Sequence, residues 1–225
     1  MQQETWTAVD QYFSDTLVPT DAALDHALQT SVAGNLPPIQ VTPTQGKLLQ
    51  LLARTVNARH ILEIGTLGAY STIWLARALP SDGKLITLEA NPKHAEISRG
   101  NIANAGLGHL VELRLGLALE SLPKLAAEKL PPFDLIFIDA NKDQMPEYFE
   151  WSLKLARPGG LIIGDNVARK GGVIDAHSKE IDVQGARRFL EMVGRESRVS
   201  ATALQTVGAK GYDGFSLILV NPANT

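Results

Sequence analysis

The sequence contains no cysteine. That removes disulfides, thiolate metal sites and cysteine nucleophiles from consideration. It has no apolar run approaching the ~18 residues of a membrane-spanning helix. It has no basic excess either: 21 Lys and Arg stand against 24 Asp and Glu, for a net charge of −3, so nothing points to a phosphate-rich polymer as partner. The first residues, Met1-Gln-Gln-Glu-Thr-Trp6, lack the basic and then apolar segments of a secretory leader. Also missing are a Gly-x-Ser-x-Gly elbow, a Walker-type phosphate loop and any pair of histidines at metal-binding spacing. The expectation is a cytoplasmic protein with no nucleic-acid or membrane partner. With 225 residues, 44% of them hydrophobic, the chain has enough apolar material for one sizeable core.

What is present centres on residues 60–71. A short apolar run, Ile61 to Ile64, ends in a Gly65-Thr-Leu-Gly68 turn, and an amphipathic segment follows with Ile73, Trp74, Leu75 and Ala78. Strand, glycine turn and helix in succession are the layout of a nucleotide-type cofactor site. Further apolar runs are expected as strands at 84–89, 111–115, 133–138, 161–163, 199–204 and 215–220. Helical spacing lies between them at 71–79, 92–106, 118–130, 145–156 and 185–195. Near-continuous apolar strands alternating with helices predict an α/β fold, a Rossmann-like, doubly wound and mostly parallel seven-stranded sheet. The Gly-rich stretch 208–214 predicts a hairpin that sets one C-terminal strand antiparallel. Upstream, Pro19 separates two helical stretches, Asp21 is placed to cap the second, and Thr42 or Thr44 to cap a helix running to Asn57. The whole reads as a single domain, 1–225, with residues 1–40 as an N-terminal helical extension.

In such sheets ligands bind beyond the carboxyl ends of the strands. Those ends present Glu63 and Gly65, then Glu89, then Asp139 and Lys142, then Asp165 and Asn166. Glu89, 24 residues after Gly65, suits the hydroxyls of a ribose. The turn lacks the third glycine of a dinucleotide fingerprint. Tyr70 and Ser71 instead offer hydroxyls at a helix N-terminus, where a carboxylate is also favoured. S-adenosylmethionine carries a ribose and a carboxylate without a phosphate. Asp139, Asp165 and Asn166 supply three oxygen donors, a set that favours Mg²⁺, Ca²⁺ or Mn²⁺. Lys142, three residues after Asp139, is the candidate base, since burial beside a cation lowers a lysine pKa. His177, in the 167–183 loop, is the histidine expected nearest the substrate. The other four are expected on surfaces away from the site, and Arg169 and Lys170 are expected to face water.

These residues resemble the cation-dependent O-methyltransferases, the family of catechol and caffeoyl-CoA O-methyltransferases. The resemblance is carried by Val41-Thr-Pro-Thr-Gln-Gly46, Leu62-Glu-Ile-Gly-Thr-Leu-Gly68, Thr87-Leu-Glu89, Gly116-Leu-Ala118, residues 133–140, Arg157-Pro-Gly-Gly160, Asp165-Asn-Val167 and Asp213-Gly-Phe215. It implies an S-adenosylmethionine-dependent enzyme with a divalent cation, usually Mg²⁺, acting on a small phenolic molecule such as a catechol or its CoA ester, and a homodimer. By motif it implies Asp139, Asp165 and Asn166 as metal ligands, and Lys142 with Asp139 as the catalytic pair. The implied cofactor contacts are Val41, Glu63, Gly65, Thr66, Tyr70, Ser71, Glu89, Ala118 and Asp139. Asn141 stands where the family often has a second aspartate. A nicotinamide-dependent Rossmann oxidoreductase and a non-catalytic protein on a cofactor-binding fold are the alternatives.

Overall fold

The computed structural model describes residues 2–19 and 21–222. Met1, with which the leader-free reading begins, Thr20 and the last three residues of the 1–225 span lie outside the described residues.

Two helices open the chain, α1 (Gln2–Leu17) and α2 (Ala22–Ala33). Asp21 caps the second as expected, its Oδ1 accepting from the amides of Ala23 and Leu24 at 2.9 and 3.2 Å. Helix α3 (Pro43–Thr55) begins in a full capping box: Thr42 Oγ1 accepts from the Gln45 amide, and Gln45 Oε1 accepts from the Thr42 amide. Alternation then sets in with β1 (His60–Ile64), α4 (Tyr70–Ala76), β2 (Lys84–Glu89), α5 (Pro92–Asn104), β3 (Val111–Leu115), α6 (Ala118–Ala127) and β4 (Phe133–Ile138). A 3₁₀ turn at Lys142–Gln144 leads into α7 (Met145–Leu155) and β5 (Ala156–Asp165). A second 3₁₀ segment, Arg169–Ile174, precedes α8 (Ile181–Arg195), β6 (Val199–Gly208) and β7 (Gly211–Val220).

The seven strands form one sheet in the order β3-β2-β1-β4-β5-β7-β6. The first five are parallel, and β7 runs antiparallel to both its neighbours. Strand alternation divides the core into two layers. Ile61, Leu85, Leu135, Phe137 and Ile163 pack on one face against α2–α5. Leu62, Ile64, Leu88, Ile136, Ile138 and Ile162 pack on the other against α6–α8, where Phe149 and Phe189 meet edge to face at 5.7 Å.

The three largest differences from the sequence expectation are these. Strand β5 begins at Ala156 rather than Leu161, running through Pro158-Gly-Gly160, because Ala156 pairs with Phe133 across an irregular register. The loop expected over 167–183 contains the 3₁₀ segment and the first turn of α8. The Gly-rich stretch 208–214 is mostly strand: β6 and β7 pair continuously from Val199↔Val220 to Gly208↔Gly211. The hairpin turn is therefore only Ala209-Lys210, carried four residues past the last β5–β7 pair, Asp165↔Phe215.

Candidate active site

The order of strands reverses between β1 and β4, and the crevice at such a reversal is where open α/β sheets bind ligands. There the two strand ends nearly touch. The Asp139 amide donates to Ile64 O at 2.9 Å. Gly65 sits at φ +100°, and a Cβ on it would fall 2.1 Å from Asp139 O, so only glycine admits this approach. The turn continues through Leu67 and Ala69, both left-handed at φ 54° and 65°. Neighbouring side chains hold it in this costly conformation. Glu89 Oε2 accepts from the Thr66 and Leu67 amides at 3.3 and 2.8 Å, and its Oε1 from the Asn91 amide at 2.9 Å. Ser98 and Asn101 of α5 donate to the carbonyls of Leu67 and Gly68.

Glu63 lies behind this turn, wholly buried. It accepts from Ser71 Oγ at 2.6 Å, Thr72 Oγ1 at 2.5 Å and Thr87 Oγ1 at 2.7 Å. Burial pushes its carboxyl up to about 7, against the pull of those three hydroxyls.

A cleft of about 540 Å³ opens above the turn. Val41, Gly65, Thr66, Tyr70, Ser71, Glu89, Ala118 and Asp139 all line it. Glu63, expected among the cofactor contacts, does not. The Glu63 side chain points toward α4, and its reach ends at the Ser71 and Thr72 hydroxyls. Ser71 lines the cleft but spends its proton on Glu63, so toward a ligand its oxygen is an acceptor. The histidines also fall differently from expectation. His94 lines this cleft with Nδ1 3.5 Å from Glu89 Oε1, whereas His177 is exposed and outside it. The first turn of α5 begins only three residues after Glu89, and the chain reversal at Asn91 brings His94 back beside it.

At the end of β4 the Lys142 ammonium donates to Asp139 Oδ1 at 2.8 Å. Lys142 is buried. Its backbone is pressed by α8, where a Cβ on Gly185 would fall 2.1 Å from Lys142 O. Asp165, at the end of β5, is also buried, with Oδ1 accepting from the Asn166 amide at 2.8 Å. Burial first, then the Asp139 charge, pushes its carboxyl up to about 7, while Lys142 pulls the other way. Asn166 is left-handed at φ 57°, a conformation that asparagine tolerates better than most. A second cleft, of about 600 Å³, adjoins the first, sharing Ile39, Gln40, Val41, Asn166 and Arg169 with it. Asp139 faces the first cleft, Asp165 the second, and Asn166 both. Among the described residues no three His, Cys, Asp or Glu side chains cluster as a metal site. The expected trio is two carboxylates and one amide.

Arg169 was expected to face water. It lies instead in the wall between the clefts, 2.9 Å from Asp182 Oδ2 and 3.9 Å from Asp213 Oδ2. Asp213 in turn accepts from the amides of Ala168, Arg169 and Gly214. Acids from α8 and β7 recruit this arginine, and neither is near it in sequence.

A profile of the O-methyltransferase family matches residues 15–219. The chain belongs to the O-methyltransferase family. A catechol O-methyltransferase of Niastella koreensis is 52% identical over 98% of this chain and 100% of its own. An O-methyltransferase from Bacillus cereus, solved in complex with SAH, superposes with a TM-score of 0.96 at 61% identity, covering 97% of this chain and 100% of that one. TomG from Streptomyces achromogenes, an O-methyltransferase involved in tomaymycin synthesis and solved with SAM, gives a TM-score of 0.96 at 53% identity over 99% and 100%. The enzyme class expected from the motifs, an S-adenosylmethionine-dependent O-methyltransferase on a Rossmann-like sheet, therefore stands.

Proposed function

We propose that this enzyme transfers a methyl group from S-adenosylmethionine to one of two vicinal hydroxyls of a catechol-like small molecule, or its CoA ester, with a divalent cation held by Asp139, Asp165 and Asn166. The observation that carries the reading is the position of this trio on the border of two adjoining clefts, with Lys142 on Asp139. The first cleft takes the donor, as the ligands of the Bacillus and Streptomyces relatives suggest. The second, which Asp165 and Asn166 line, takes the phenol.

The residues present fit a hard cation. Asp165 is buried and Asp139 partly so, close enough for the charge of one to raise the pKa of the other, and an adjacent amide oxygen completes an all-oxygen set that suits Mg²⁺, with Ca²⁺ or Mn²⁺ as substitutes. When bound, such a cation would acidify a coordinated hydroxyl and draw the Asp139 charge away from Lys142. Lys142, once it has given its own proton to solvent and stands as the neutral amine, would accept the proton of the attacking hydroxyl. Glu89 and the Gly65–Ser71 turn, supported from behind by Glu63, fix the donor so that its methyl faces that oxygen. Holding both partners in line supplies much of the rate.

The same reading includes a homodimer. Val9, Tyr12, Phe13 and Leu17 of α1 are exposed, as are Leu204 and Val207 on edge strand β6, and a second copy would cover this apolar surface. Sedimentation at micromolar concentration tests it. No helix among the described residues is long and apolar enough to cross a membrane. We place the enzyme in the cytoplasm, acting on free small molecules. The direct test of function is methyl transfer from labelled S-adenosylmethionine to a panel of catechols, hydroxycinnamates and their CoA esters, with Mg²⁺ varied. Methylation confined to vicinal diols supports the proposal, and no transfer to any of them refutes it.

A further inference from the structure

The second cleft has a feature beyond the reacting end. Its far wall is the tip of the β6–β7 hairpin, the two-residue turn Ala209-Lys210. This tip is anchored to α1: the Ala209 amide donates to Asp10 Oδ2 at 2.7 Å, and Gln3 Nε2 donates to Gly208 O at 2.9 Å. Lys210 is thereby held over the cleft, and its ammonium meets only the Pro38 carbonyl, at a long 3.4 Å. Among the described residues no carboxylate lies within ion-pairing distance of it, whereas Arg169 in the same cleft is already engaged by Asp182 and Asp213. Asp10 on this rim accepts from the Ala209 amide and makes no ion pair with Lys210. Partial burial lowers the Lys210 pKa, opposed by the charges of Asp139 and Asp165. Asp165 and Asn166 line the same cleft as Lys210.

We propose that Lys210 is a specificity-determining residue that selects catechols bearing a carboxylate, holding that anion while the diol meets the Asp165–Asn166 wall. This rests on the catechol reading above and adds the charge of the substrate's other end. An ammonium with no direct ion-pair partner among the described residues, on a turn whose backbone is anchored, favours an anionic substituent over a neutral one. It disfavours a cationic amine by repulsion. The loss of one charge-assisted hydrogen bond at a part-exposed site corresponds to about tenfold in affinity.

The test compares protocatechuate, protocatechualdehyde and dopamine as acceptors for wild type, Lys210→Met, Lys210→Arg and Lys210→Glu. Lys210→Met should raise KM for protocatechuate about tenfold while leaving kcat, and both constants for the aldehyde, near wild type. Lys210→Arg should restore protocatechuate, and Lys210→Glu should shift preference toward dopamine. Equal effects of Lys210→Met on acid and aldehyde, or none on either, would overturn the proposal. Calorimetric titration of acid and aldehyde into Mg²⁺- and SAH-loaded protein reads the same selectivity without turnover. If wild type methylates none of the three, the catechol reading fails. Lys210-dependent binding of the acid would still support the anion site, and equal binding of acid and aldehyde would still refute it.

Discussion

The Lys142 ammonium lies 2.8 Å from Asp139 Oδ1, and both side chains belong to the short segment joining β4 to α7. The base is thus tied to a proposed metal ligand, three residues away. Replacing Lys142 by Met should lower kcat about a hundredfold to ten-thousandfold, the range for loss of a general base. KM and SAH affinity should change little. Steady-state kinetics with calorimetry checks this, and an unchanged kcat removes Lys142 from the proton transfer.

Glu89 has two tasks in one carboxylate: it satisfies three backbone amides of the left-handed turn and of the entry to α5, and it borders the donor cleft. Glu89→Ala orphans those amides. The expected cost is about 1–3 kcal/mol of stability, together with at least an order of magnitude in SAH affinity by calorimetry. Thermal melting without ligand separates the two. A variant that melts like wild type would show that the turn does not depend on Glu89.

Gly185 is where α8 crosses the backbone of Lys142. A methyl group there cannot be accommodated without moving one of the two. Gly185→Ala should therefore destabilise the fold by about 1–3 kcal/mol and lower kcat more than it weakens SAH binding, because the displaced element carries the base. Equal loss in both would indicate a general rather than a local disturbance.

The buried Glu63 makes stability depend on pH. Its folded pKa, about 7, is raised above the model-compound value of 4.5, so between these values the native state binds more protons than the unfolded state. Stability from this group is intact below about 4.5 and falls as pH rises through about 7. The total is at most about 3 kcal/mol. Glu63→Gln cannot titrate, so the melting temperature of wild type relative to this variant should decline from pH 5 to pH 8. A pH-independent difference would mean that Glu63 is ionised throughout.

Much of this was legible in the sequence for a physical reason. Central parallel strands must be apolar on both faces, so β1, β2 and β4 stand out as runs, and their ends mark the ligand crevice. Gly65, Glu89, Asp139, Lys142, Asp165 and Asn166 follow from that rule. What could not be read depends on partners distant along the chain. Pro158-Gly-Gly160 looks like a turn until Phe133 pairs with Ala156. Arg169 looks solvated until Asp182 and Asp213 close on it. Lys210 sits in what reads as a glycine-rich loop until β6 and β7 zip together to its edge. Glu63 stands at the strand end behind the turn, because alternation sends residue 63 toward Ser71 and Thr72 of α4.

The central claim is that Asp139, Asp165 and Asn166 hold a divalent cation required for transfer but not for holding the donor. The most direct measurement is the rate of methyl transfer to a catechol by enzyme stripped with EDTA and then titrated with Mg²⁺, for wild type and Asp165→Ala, with SAH affinity measured in parallel. The account predicts no turnover in EDTA, recovery with Mg²⁺ in wild type only, and SAH affinity retained throughout. Full turnover in EDTA, or by Asp165→Ala, would contradict it.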